Sequence, residues 1–238
     1  MRTLHSWSVA LGVALAGLGG MAPNAAARPA EAQASFAVHI TNYAQITAKE
    51  LADAERVAAA VFKRAGVATT WMDVSDLTGT EHASSGDPNP ARPPLISVHI
   101  QLSSLAGPLG LGDRVMGLAP GAGPDRTLVY VFYDRVKELV RRQVAGQFRG
   151  DILAGAGERQ ILGEMIAHEI GHVLLDMPGH SETGIMRGGW NLKDLQDVAY
   201  GSLFFTAQQA RVLRAEVGRR AYGGVNSNLA VNSNLTAN

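Results

Sequence analysis

One segment of the sequence is more apolar than any other predicted helix, and it constrains the fold most. Glu158–Leu175 precedes the turn Pro178-Gly179 and carries apolar side chains at helical spacing: Ile161, Leu162, Met165, Ile166, Ile170, Val173 and Leu174. The same segment carries two histidines and a glutamate, whose burial is costly without a partner. Any fold of this chain therefore has to bury this helix and also give its two histidines and its glutamate hydrogen-bond partners or a metal ion.

The segments around this helix predict an α+β fold. Four of them have the residue patterns of β-strands: Ser35–Thr41, Val67–Val74, Leu95–Leu102 and Thr127–Tyr133. Further helices are predicted at three places: Thr47–Gly66, Asp134–Phe148, and Thr206 to about Arg220. We therefore expect a mixed twisted sheet with the apolar helix beneath it, whereas Met177–Tyr200 is predicted to be irregular.

The two ends of the chain differ from its middle. Residues 1–27 combine Arg2, an apolar run and the small residues Ala25-Ala26-Ala27, which is typical of a cleaved secretory signal peptide. The apolar run is shorter than the roughly 20 residues that a membrane-spanning helix needs. Residues 223–238 are polar and predict a disordered tail. One folded domain is thus expected at 28–222, in a protein that is secreted or periplasmic and has no stable membrane anchor after cleavage.

Composition excludes several classes of function. The chain of 238 residues contains no cysteine, which excludes disulfides, thiolate metal sites and a catalytic cysteine. It has 21 basic and 21 acidic residues, so its formal net charge is zero. This balance argues against nucleic acid or an anionic membrane surface as a general electrostatic partner. Any metal therefore has to be held by histidines and carboxylates.

The apolar helix contains the motif His168-Glu169-Ile170-Gly171-His172. A spacing of four residues places both imidazoles on one helix face, one turn apart. Zn²⁺ binds neutral imidazole nitrogens, and catalytic zinc sites use three protein ligands and leave one position open. Glu169 lies beside the first histidine and can take a proton from an attacking water. The motif therefore predicts a zinc site with hydrolytic chemistry.

A third ligand is expected beyond the turn that ends the helix. His180 follows His172 by eight residues, and Gly184-Ile185-Met186 comes shortly after it. At this point the sequence resembles the metzincins, metalloproteases with two histidines and a glutamate on a helix, a third histidine beyond a turn, and a methionine turn beneath the metal. The resemblance is confined mainly to residues 168–186, although the order of strands and helices before them also fits.

The resemblance implies a role for each matching residue. It makes His168, His172 and His180 the ligands of one catalytic zinc ion, Glu169 the general base, and Met186 the residue packed under the metal. It also implies a peptide bond in a peptide or protein as the substrate, and hence a secreted zinc metalloendopeptidase whose catalytic domain is residues 28–222. Metzincins bind extended substrates along an edge strand, and Val115–Ala119 is the candidate for that strand.

The sequence departs from the family pattern after the second histidine. The family has glycine three residues after this histidine and the third histidine three residues later, but those positions hold Leu175 and Pro178 here. Asp176 and, more weakly, Glu182 are therefore alternative third ligands. Glu164 is four residues before His168, so it is either an acceptor for an imidazole N–H or an exposed helical glutamate.

Other functions stay open at this level. A zinc hydrolase could act on another amide, such as a cell-wall peptide. The metal could instead only stabilise the fold of an exported protein, although structure alone would not require Glu169. An exported binding module without metal is a third alternative.

Overall fold

A mixed sheet is the framework of the protein. The computed structural model describes residues 33–72, 93–105, 110–121, 123, 126–145, 157–177 and 179–235. In these ranges the strands are β1 (Ser35–Asn42), β2 (Ala68–Met72), β3 (Leu95–Gln101), β4 (Gly117–Leu118) and β5 (Leu128–Phe132). They form one sheet in the order β2-β1-β3-β5-β4. All neighbouring pairs are parallel except β4 and β5, which are antiparallel, so β4 lies at an edge.

Helices cover this sheet and complete the domain. The described helices are α1 (Ala48–Arg64), α2 (Tyr133–Ala145), α3 (Glu158–Leu174), α4 (Leu192–Ala199) and α5 (Ala207–Leu235), together with a short 3₁₀ turn at Ser103–Leu105. The predicted capping boxes form at the start of two of them. Thr47 Oγ1 accepts from the Glu50 amide before α1, and Thr206 Oγ1 accepts from the Gln209 amide before α5. Each cap satisfies an amide that has no partner within the helix.

The predicted apolar helix, α3, lies at the centre of the core. All its residues from Ile161 to Leu174 are buried. It contacts α1 closely at Gly163, where an added Cβ would lie 2.5 Å from the carbonyl oxygen of Ala54. Only glycine allows this approach, and it places α1 and α3 together beneath the apolar side chains of the sheet. The prediction of an α+β fold with a mixed sheet and a buried helix is confirmed.

Two parts of the chain differ from the sequence-based expectation. Residues 177–200 are not irregular throughout, because α4 forms within them. A capping box of Asn191 and Asp194 starts this helix. The helix has only eight residues, which is too short for its apolar residues to show a clear helical spacing in the sequence. The last helix, α5, continues to Leu235, beyond the end near Arg220 that the sequence predicted. The disordered tail predicted at residues 223–238 stays a prediction. Glycine costs a helix only about 1 kcal/mol, so the glycines at 223 and 224 do not have to end it.

The predicted signal peptide at residues 1–27 lies outside the described residues and stays a prediction. Among the described residues, no helix is both long and apolar enough to cross a membrane. The predicted domain boundary at residue 28 also lies outside the described residues and stays a prediction.

Candidate metal centre

The two histidines of α3 meet at their ring nitrogens. His168 and His172 are buried on one face of the helix, and their Nε2 atoms lie 3.1 Å apart. Two nitrogens that each lie about 2.0–2.1 Å from a tetrahedral zinc ion are about 3.3 Å apart. The spacing of this pair therefore fits two ligands of a single zinc ion.

The outer nitrogens of both rings are held by backbone carbonyls. Nδ1 of His168 lies 2.7 Å from the carbonyl oxygen of Ile185, and Nδ1 of His172 lies 2.9 Å from that of Met177. A carbonyl oxygen only accepts hydrogen bonds, so each Nδ1 carries the proton and each neutral ring presents a lone pair at Nε2. Two lone pairs at 3.1 Å repel each other unless a cation lies between them.

Burial keeps these rings neutral. It lowers the pKa of His168 to about 3. Burial also lowers the pKa of His172, and the Coulombic interactions of this ring with His180 and Arg126 lower it further. Because protonation of either ring is disfavoured, a proton shared between the two Nε2 atoms would not relieve their repulsion well. Neutral imidazoles with fixed Nδ1–H groups are the form that binds a metal ion.

His180 completes the group from outside the helix. Its ring centre lies 5.3 Å from that of His168 and 4.9 Å from that of His172. One nitrogen from each of the three rings can be chosen so that all lie within 4.8 Å of one another. Among the described residues, this is the one group of histidine or carboxylate side chains that could hold a metal ion. His180 is exposed, which leaves this side of the site open to a substrate.

The loop after His180 ties the third histidine to the helix. The amide of Ser181 donates to the carbonyl oxygen of Met186 at 2.9 Å, and Gly188 packs against the His180 ring. Met186 is fully buried beneath α3. A Cβ on Gly171 would lie 2.5 Å from its Sδ, so the sulfur contacts the helix between the two histidines. Met186 thus packs against the helix that carries both histidines, and the role under a metal that the resemblance implies for it stays a prediction.

The alternative third ligands lie elsewhere. Asp176 points to Arg126, whose guanidinium donates to Oδ1 at 3.0 Å, and its side chain is 56% exposed. Glu182 is exposed and belongs to no group of possible ligands. Of the three candidates, only His180 lies beside both helix histidines.

Glu169 reaches the cleft in front of the histidines. Its side chain is buried, makes no hydrogen bond among the described residues, and burial raises its pKa to about 8. A Cβ on Gly117 of β4 would overlap the Glu169 carboxylate, so this strand passes directly against it. The cleft of about 690 Å³ lies between β4 and the loop that carries Trp190. A nearby cation favours the ionised form of a buried carboxyl group that has no hydrogen-bond partner. A metal ion held by the three histidines would be such a cation.

Glu164 has neither of the two roles considered from the sequence. It is buried rather than exposed, and its Oε1 accepts from Gln160 at 3.3 Å. The acceptor for His168 is instead the carbonyl of Ile185. Sequence reasoning also missed Arg126 and Trp190 as neighbours of the site, since each comes from a segment that only the tertiary fold brings to α3. Gly117 lies within Val115–Ala119, the segment predicted to be the edge strand.

Comparisons with protein-family models and with curated protein sequences find no match. Among solved structures, the fold is similar to the crystal structure of archaemetzincin from Methanopyrus kandleri, with a TM-score of 0.41 and 12% sequence identity. The match covers 78% of this chain and 97% of that chain.

Proposed function

We propose that the protein is a zinc-dependent metallopeptidase that hydrolyses peptide bonds. The observation that carries this proposal is the convergence of three imidazoles and one carboxylate at the same cleft. His168, His172 and His180 would hold the metal through nitrogen atoms, which are ligands that suit zinc. Glu169 would not bind the metal but would act on the reacting atoms beside it.

Zinc bound there would supply a Lewis acid that polarises the scissile carbonyl and lowers the pKa of water. Glu169 would accept a proton from the attacking water at a carboxylate oxygen and pass it to the leaving nitrogen. Gly117 leaves the space that this carboxylate occupies. The Nδ1–H bonds of His168 and His172 to backbone carbonyls keep both Nε2 atoms directed at the same point.

The shape of the cleft supports a peptide as the substrate. β4 is the edge strand of the sheet, and among the described residues its outer side has no paired strand. An extended peptide can bind to such an edge through backbone hydrogen bonds. A peptide on the outer side of β4 would pass in front of Glu169, because β4 contacts this side chain at Gly117. Val115–Ala119 is the segment that we assign to substrate binding.

We also propose that the protein is exported. The support is the pattern of residues 1–27, with Arg2, an apolar run and the small residues before residue 28. Sequencing the N-terminus of the mature protein would test it, and an intact Met1 on the exported or cell-associated protein would contradict it.

Metal analysis and a peptidase assay test the proposed function. We expect about one equivalent of zinc per chain, and H168A, H172A and H180A should each lose most of it, since each removes one of three ligands. H99A is a control that should retain zinc, since His99 lies on β3 and belongs to no group of possible ligands. If D176N loses zinc and H180A retains it, the third ligand is Asp176.

Activity then separates the remaining alternatives. Hydrolysis of a casein or peptide library that stops with a chelator and returns with zinc is the expected result. Hydrolysis of cell-wall peptides alone would move the substrate to that class. Zinc binding with no hydrolysis of either substrate would make the metal a stabiliser of the fold, and no zinc after reconstitution would contradict the proposal entirely.

A further inference from the structure

Arg126 joins the sheet to the end of the active-site helix. It lies just before β5, and only 9% of its side chain is exposed. Its guanidinium donates to the carbonyl oxygen of His172 at 2.8 Å and to Oδ1 of Asp176 at 3.0 Å. Both contacts are made by the same nitrogen, Nη2. One buried cation therefore holds the backbone of a candidate zinc ligand and the turn that follows it.

The first of these contacts caps the helix. The last four carbonyls of a helix have no amide partner within it, and cations near this end are favourable. α3 ends at Leu174, so the carbonyl of His172 is one of these four. Arg220 of α5 donates to the next carbonyl, that of Val173, at 3.0 Å, and to the carbonyl of Arg126 at 2.7 Å. Two arginines thus hold successive carbonyls in the turn that carries His172.

The second contact holds the segment that orients the His172 ring. Asp176 has a φ of 47°, a left-handed conformation that aspartate tolerates better than most residues. The chain turns sharply there, and the carbonyl of Met177 returns to Nδ1 of His172 at 2.9 Å. By binding the Asp176 carboxylate, Arg126 stabilises the turn that places this acceptor.

We propose that Arg126 is a positioning residue that sets the orientation and tautomer of His172 for metal binding. It holds the backbone of His172 through the carbonyl oxygen of this residue. Through Asp176 it also holds the turn that places the Met177 carbonyl, the acceptor of the His172 Nδ1–H. The proposal rests on the proposed zinc function. Partners that orient a ligand from behind typically change metal affinity about 10- to 100-fold when they are removed.

The test compares R126A with R159A in the full chain. Arg159 lies at the opposite end of α3, where it forms an exposed ion pair with Asp53. We expect R126A to raise the zinc dissociation constant about 10- to 100-fold, and R159A to leave it unchanged. R126K is a second variant for the case in which R126A does not fold. It keeps the charge but has a single donor group, so we expect a smaller loss that is still measurable.

The ring of His172 provides a readout that does not depend on zinc. In the metal-free wild type, nitrogen NMR should show the proton on Nδ1. In R126A or R126K we expect a mixture of tautomers, and in R159A the wild-type spectrum. An unchanged zinc affinity and an unchanged tautomer in a folded Arg126 variant would overturn the proposal, even if its melting temperature falls. If the wild type itself binds no zinc, the proposed function fails, and the tautomer alone decides the role of Arg126.

Discussion

Glu164 and Glu169 lie on the same helix and differ in their surroundings rather than in their burial. Both are almost completely buried, and burial raises the pKa of each to about 8. Five residues correspond to a rotation of about 140° around a helix, so the two side chains leave α3 on different sides. Glu169 enters the cleft with the histidines, whereas Glu164 lines a smaller cavity of about 440 Å³ against α1.

The comparison shows which property identifies the candidate base. A raised pKa is common to both residues, so it does not by itself distinguish a reactive carboxylate from a structural one. The neighbours distinguish them. Glu169 faces the histidine group and an open edge strand. Among the described residues, Oε2 of Glu164 is buried with no hydrogen-bond partner, and Oε1 accepts from Gln160 alone.

Exchanging each glutamate for glutamine should produce the largest difference between the two residues, in the rate of peptide hydrolysis. E169Q should retain zinc and the fold but lose about 10²–10⁴-fold in peptide hydrolysis, because the amide cannot accept the proton. E164Q should keep activity within about twofold, since its side chain does not reach the cleft. Parallel measurements of kcat and zinc content check both. An equal loss of activity in the two variants, or loss of zinc in E169Q, would end the distinction.

Crowding Glu169 from the side of β4 should have a smaller effect. G117A introduces a Cβ that overlaps the carboxylate, so the base has to move. A displacement of about 1 Å can cost about 10²-fold in rate. G112A is the matched control in the same segment, since an added Cβ there meets nothing within 4 Å. We expect kcat to fall in G117A and not in G112A. Normal turnover in G117A would place the base elsewhere.

The effect of Glu164 should appear in stability and depend on pH. Its folded pKa is about 8 against a reference of 4.5, so burial disfavours the carboxylate. This cost is absent below the unfolded pKa and grows as pH rises towards 8. We expect E164Q to gain about 3 kcal/mol in unfolding free energy relative to wild type between pH 5 and pH 8. Denaturant unfolding at several pH values measures this difference.

Other groups should cancel in that difference. Glu169 titrates in both proteins alike, and the charged side chains that share the cavity with Glu164 pair with one another. These are Asp53, Arg56 and Arg159. A stability difference that stays constant from pH 5 to pH 8 would show that the Glu164 carboxyl group does not have the pKa raised by burial.

Sequence reasoning succeeded where the deciding interactions are local. Capping boxes, alternation and helical spacing depend on neighbours within a few residues, so the main strands and helices were predicted. It failed for α4 and for the end of α5. A short helix has few turns in which a pattern can show, and a helix end without a strong helix breaker has no sharp signal in the sequence.

The sequence by itself determined that His168 and His172 share one helix face, because that depends only on the period of the helix. It also placed His180 after a turn, within reach of them. Only the tertiary structure decided that His180, rather than Asp176, lies beside both rings. Only the tertiary structure also decided that Glu169 contacts Gly117 and that Arg126 reaches the end of α3. These last two contacts join residues far apart in the chain, so they depend on the path of the whole sheet rather than on any local pattern.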